Sequence, residues 1–74
     1  MPHVIVKLWP GRNETQKRAI ADKVIQAVVE SAGVPATAVT VGNEEVPKER
    51  WHEEVHIPDV DRKNASIYRS TRSS

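Results

Sequence analysis

The chain has 74 residues, no cysteine, 11 basic against 10 acidic residues and a formal net charge of +1. A chain of this length is expected to form one domain over 1–74, without disulfides or thiolate metal sites. The mixed charges give no basic stripe for nucleic acid, no apolar run approaches the ~20 residues that cross a membrane, and Met1-Pro2-His3-Val4 does not open a secretory leader.

The expectation is therefore a cytoplasmic protein with no nucleic-acid or membrane partner. A domain this small buries only about 60% of the surface of its unfolded chain, so its own core is marginal. With disulfides excluded, self-association is the staple that remains, and a homo-oligomer is expected.

His3–Leu8 reads as a strand: Val4, Val6 and Leu8 alternate with His3, Ile5 and Lys7, and β-branched residues dominate. Apolar residues on both faces predict cover on both sides. Pro10-Gly11 breaks the strand. Asn13 is a good N-cap with Gln16 three residues on, as a capping box requires, and Glu14 suits the positive end of a helix. A helix is predicted from there to Ala32. Ile20, Val24, Ala27 and Val28 form its apolar stripe, and Gly33 and Pro35 stop it. A second strand is predicted over 37–41, which makes one right-handed β-α-β unit with parallel strands. Two strands and one helix cannot cover both faces of a sheet, which again predicts another copy. Residues 47–55 read as a short helix begun by Pro47 and ended by Pro58, and 69–74 as a disordered tail. The expected class is thus α/β (α+β): a single β-α-β unit with a short C-terminal helix and a sheet completed by oligomerisation.

Pro2 is the sharpest chemical feature. Removal of Met1 leaves a secondary amine directly on a buried strand. Ordinary amino termini titrate near ~7.7–8.0, and desolvation lowers that value by disfavouring the charged form. A neutral amine near pH 7 is a competent general base. Proline at this position is common in proteins that make no use of it, and Arg12 changes the balance. Its guanidinium stays charged and binds carboxylates bidentately. Arg12 lies a whole strand away from Pro2 of its own chain, so only a second subunit, or a strand partner running the other way, brings the two groups together.

The stretch Met-Pro-His-Val-Ile-Val-Lys-Leu-Trp-Pro-Gly-Arg, followed by Asn-Glu-Thr-Gln-Lys, resembles the 4-oxalocrotonate tautomerase family. The segment from Glu44 to Trp51, with Val55 and Ile57-Pro58-Asp59 downstream, is similar to the slightly longer bacterial members. The resemblance covers residues 2 to about 68. It implies that Pro2 is the catalytic amino-terminal proline. It implies that Arg12 binds a substrate carboxylate from a neighbouring subunit, and that Trp51 keeps the proline's pocket apolar. It also implies a homodimer or a trimer of dimers. A second arginine of the type enzyme, which polarises the carbonyl oxygen, falls on Thr40. That departure leaves open whether the type enzyme's unsaturated dicarboxylate is the substrate here. Arg50 and Lys48 are the residues left to supply the charge.

Trp51 suits core packing as well as it suits a pocket wall, and Trp9 reads as interface or core. His52 and His56 are four apart and fit a His-Glu-x-x-His string, a minor zinc reading that lacks a third ligand. His3 reads as orienting the backbone or sitting in an interface. Glu44, Glu45, Glu53 and Glu54 read as solvated charges.

The expected mechanism needs no cofactor or metal: Pro2 removes a proton from a small carboxylate substrate held by Arg12 and returns it at another carbon. Three rivals remain: hydration or dehalogenation of an unsaturated acid with Glu53 or Glu54 activating water, a non-enzymatic β-α-β assembly module, and a zinc hydrolase using His52 and His56.

Overall fold

The structure is a computed structural model that describes residues 2–68; the tail at 69–74, expected to be disordered, lies outside the described residues. Strand β1 (His3–Leu8) and strand β2 (Thr40–Glu45) form a two-stranded parallel sheet. The register pairs His3 with Thr40 and Leu8 with Glu45. The long helix α1 (Glu14–Ala32) makes the crossover between the strands, so the β-α-β unit read from the sequence is the one observed.

The local signals of α1 act as read. Asn13 Oδ1 accepts the Gln16 N–H at 2.8 Å, and Gln16 Oε1 accepts the Asn13 N–H at 3.0 Å, which closes the capping box. Gly33 takes a left-handed conformation at φ 70° and donates its N–H to Val29 O at 3.1 Å. The helix packs on the face of the sheet that carries Val4, Val6 and Asn43. There Asn43 Nδ2 donates to Lys17 O at 3.0 Å, tying β2 to the end of the first turn of α1.

Two boundaries differ from the sequence reading. The second strand occupies Thr40–Glu45 rather than 37–41. After Pro35, residues Ala36–Ala38 form a 3-10 turn, and Val39 N donates to Ala36 O at 3.1 Å. The strand's Gly42-Asn43-Glu44-Glu45 has weak β-propensity, but pairing to β1 and the anchoring of Asn43 override it. The C-terminal helix also does not stop at Pro58. Helix α2 (Lys48–Trp51) runs directly into wide π-helical turns over His52–Asp61, with Pro58 inside them. Arg62 N reaches back five residues to Ile57 O at 3.0 Å. A proline removes one amide from such a segment, and the widened turns tolerate the loss.

The core of a single chain is thin: Leu8, Val39, Val46 and Val55 are buried, and α1 contributes no buried side chain. On the sheet face away from α1, Ile5 keeps 47% of its surface exposed. The C-terminal segment reaches this face through Lys7, whose Nζ lies 2.6 Å from Asp59 Oδ2. That hydrogen bond holds the Asp59 carboxyl below its usual range and raises the Lys7 ammonium above its own. A depressed carboxylate stabilises the fold above its unfolded value, about pH 4, and the contribution disappears as pH falls through the folded value. The melting temperature is expected to drop on acidification below about pH 4, and less steeply in Asp59→Asn. An equal slope in both proteins would remove this pair from the acid response.

No helix among the described residues is long and apolar enough to cross a membrane.

Candidate active site

Two groups of residues stand at opposite ends of β1. At its start, Pro2 is half-buried, and its carbonyl accepts the Thr40 N–H at 3.0 Å. Thr40 Oγ1 lies 2.6 Å from His3 Nδ1. Parallel pairing therefore seats Thr40 beside Pro2, with the hydroxyl taken up by His3. The strand hydrogen bond uses the carbonyl of Pro2 and leaves its nitrogen out of the sheet.

At the far end, Leu8, Trp9, Arg12 and Trp51 line a hollow of about 190 Å³. Gly11, at φ 126°, turns the chain between Trp9 and Arg12 in a conformation that side-chain-bearing residues rarely adopt. The turn brings Arg12 back over the hollow. Trp9 and Trp51 meet edge to face, centroids 6.2 Å apart and planes at 89°. Arg12 is exposed, and among the described residues no carboxylate lies within ion-pair distance of it. An always-charged fork with no internal partner, beside two indoles, is suited to a small planar carboxylate.

The six residues of β1, rising about 3.3 Å each, hold the Pro2 end and the Arg12 hollow roughly 20 Å apart in one chain. The structure thus joins Arg12 with Trp51, and Pro2 with Thr40, but does not bring these pairs together within one chain. Arg50 points elsewhere: its Nε is 3.1 Å from Glu54 Oε2 in an exposed pair one helical turn apart. Glu54 is committed by the same contact.

Trp9 does more than the interface-or-core reading assigns it: at 44% exposed it is not core of the single chain, and it lines the hollow. Its position directly before Pro10-Gly11-Arg12 was the available signal, because one turn carries both the indole and the guanidinium. Of the histidines, His52 and His56 stack with centroids 5.5 Å apart, and His56 Nε2 sits 3.1 Å from Asp61 Oδ1. Among the described residues no group of three His, Cys, Asp or Glu side chains is placed to hold a metal ion.

The model of a family described as "Tautomerase enzyme" matches residues 2–59. The chain belongs to the tautomerase family. A 2-hydroxymuconate tautomerase of Pseudomonas putida is 47% identical over 51 residues, which span 69% of this chain and 81% of that protein. A probable tautomerase of Xylella fastidiosa is 36% identical over 61 residues, 82% of this chain and 74% of its own. Among solved structures, the 4-oxalocrotonate tautomerase isozymes of Methylibium petroleiphilum are represented at TM-score 0.65 and 46% identity, covering 68% of this chain and 81% of that one. A 4-oxalocrotonate tautomerase homologue of the tomaymycin biosynthetic pathway aligns at TM-score 0.66 and 35% identity, covering 88% and 97%. These tautomerase-family neighbours share the β-α-β unit described above.

Proposed function

We propose that the protein is a cytoplasmic, cofactor-independent tautomerase. In this reading it interconverts enol and keto forms of a small unsaturated or 2-oxo carboxylic acid, with the Pro2 amine as base and then acid. The observation that carries the reading is the unpartnered Arg12 over a tryptophan-walled hollow, in a chain whose tautomerase match begins at residue 2. The P. putida relative's activity on 2-hydroxymuconate supports an unsaturated acid as the substrate class.

The chemistry is a proton relocation. The neutral amine of Pro2 takes a proton from the substrate's enol oxygen or from the carbon next to its carbonyl. The resulting ammonium gives that proton back at a different atom. Nothing is gained or lost by the substrate overall, so one group suffices for both steps. Arg12 holds the carboxylate and orients the chain of conjugated carbons against the amine, and the indole of Trp51 keeps water from one side. Desolvation and the positive guanidinium both disfavour the ammonium, lowering the amine's pKa toward the working pH, where a base is most effective.

In this reading Pro2 and Arg12 come from different copies, which is supported by the roughly 20 Å of β1 between them in one chain. The exposed Ile5 and Trp9 and the absence of buried residues on α1 supply apolar surface for such an assembly. Light scattering at micromolar concentration is expected to give at least a dimer. A folded monomer that is fully active would break the two-copy site.

The activity test is ketonisation of 2-hydroxymuconate and of phenylenolpyruvate by protein whose intact mass shows Met1 removed. Acceleration of either enol is the expected result. No acceleration of either, by folded and trimmed protein, would overturn the reading.

A further inference from the structure

Lys48 opens α2 three residues before Trp51, so the two side chains share one face of the helix. The Lys48 ammonium lies 5.3 Å from the centre of the Trp9 ring, and Trp9 meets Trp51 at the wall of the hollow that contains Arg12. Among the described residues, Lys7 and Lys63 pair with Asp59, Lys17 with Glu14 and Glu45, and Arg50 with Glu54. Of the cations without such a pair, Arg12 lines the hollow and Lys48 rests on one of its tryptophans. Among the described residues Lys48, like Arg12, has no carboxylate within ion-pair distance. At the Pro2 end, Thr40 offers a hydroxyl already bonded to His3 and no charge.

Arg12 lines the hollow and Lys48 stands beside it on the Trp9 ring, and two cations without a carboxylate partner so close to one aromatic wall attract negative charge. They are not equivalent. Arg12 follows a glycine turn and presents a planar fork, whereas Lys48 carries a point charge on a flexible four-carbon stem. A cation resting on an indole face is held weakly enough to leave it for an anion.

We propose that Lys48 is a specificity-determining residue of the hollow: a second anion holder that, with Arg12, favours substrates bearing two anionic groups over those bearing one carboxylate. This rests on reading the hollow as the substrate site. Arg12 fixes the first carboxylate. Lys48 swings from the Trp9 ring to the second anionic group, and its stem lets it meet substrates of different length.

The chain has two tryptophans, and both line the hollow. Their fluorescence therefore reports occupancy without turnover. Trimmed protein in its native assembly is titrated with trans,trans-muconate, a dianion, and with sorbate, the monoanion of the same chain length. Wild-type protein is expected to bind muconate more tightly, with a preference that shrinks as salt rises. Lys48→Met is expected to weaken muconate about tenfold more than sorbate, the scale of one charge-assisted contact. Lys48→Arg, which keeps the charge, retains most of the preference. Equal weakening of both ligands, no change in either, or a wild-type protein without dianion preference overturns the proposal. Turnover is read separately. Dianion preference in a protein that fails to ketonise any enol overturns the tautomerase reading and leaves Lys48 in place. Turnover without that preference overturns Lys48 alone.

Discussion

Protein that keeps Met1 is expected to lose turnover of phenylenolpyruvate by a hundred- to ten-thousandfold relative to trimmed protein, the usual worth of a positioned general base. Retaining Met1 turns the Pro2 nitrogen into an amide, which has no basic lone pair. It does not disturb the sheet, because the strand bond at this position runs from Thr40 N–H to the Pro2 carbonyl. The melting temperature and oligomeric mass are therefore expected to stay as in the trimmed protein, which separates loss of the base from loss of the fold. Alkylation by a halopyruvate is the chemical counterpart, with residual activity following the fraction of unmodified amine. Pro2→Ala retains a free amine, primary and differently oriented, so activity falls without vanishing. In wild-type protein the rate is expected to rise with pH as the amine deprotonates, with an apparent pKa below that of free proline. Turnover by Met1-bearing protein as fast as by trimmed protein would show that the amine is not the base.

What the sequence disclosed and what it hid divide along a physical line. The capping box at Asn13 and Gln16, the glycine stop at Gly33 and the alternation in β1 are local signals, and each acts in the structure as its chemistry dictates. The second strand was misplaced because Gly42-Asn43-Glu44-Glu45 has no strand-like composition. Its extended form comes from pairing with β1 and from the Asn43 bond to α1, which depend on residues more than 20 positions away. The passage of the helix through Pro58 has the same character. A proline reads as a stop in an ordinary α-helix, whereas here the turns are wider. Pro2, Arg12 and Trp51 were legible as chemical types at family spacing. Lys48 was legible only as one of two cations left to supply a charge, and Trp9 only as an apolar residue. The edge-to-face contact of two indoles and the resting place of an ammonium, which set Lys48 apart from Arg50, are tertiary facts.

Arg12→Ala is expected to leave melting nearly unchanged and to cut turnover of a carboxylate substrate roughly ten- to hundredfold. The side chain is exposed and holds no ion pair among the described residues, so its removal costs the fold within about 0.5 kcal/mol. Losing a charge-assisted bond to the substrate costs about 1.5–3 kcal/mol, which sets the kinetic range. Arg12→Lys restores the charge without the fork and is expected to recover only part of the loss. An uncharged ester of the same substrate should be nearly indifferent to either change; an equal loss on acid and ester would remove the carboxylate role. The same variant also tests where the site is built. About 20 Å of strand separates Pro2 from Arg12 in one chain, so a working site combines one copy's amine with another copy's guanidinium. Subunits bearing Arg12→Ala, mixed and reassembled with subunits that keep Met1, each supply what the other lacks. Random pairing in a two-fold dimer then leaves up to about a quarter of the sites intact. Recovery of activity from two nearly inactive parents is the expected result, and hybrids that demonstrably form but stay inactive would show that the two groups do not meet across subunits.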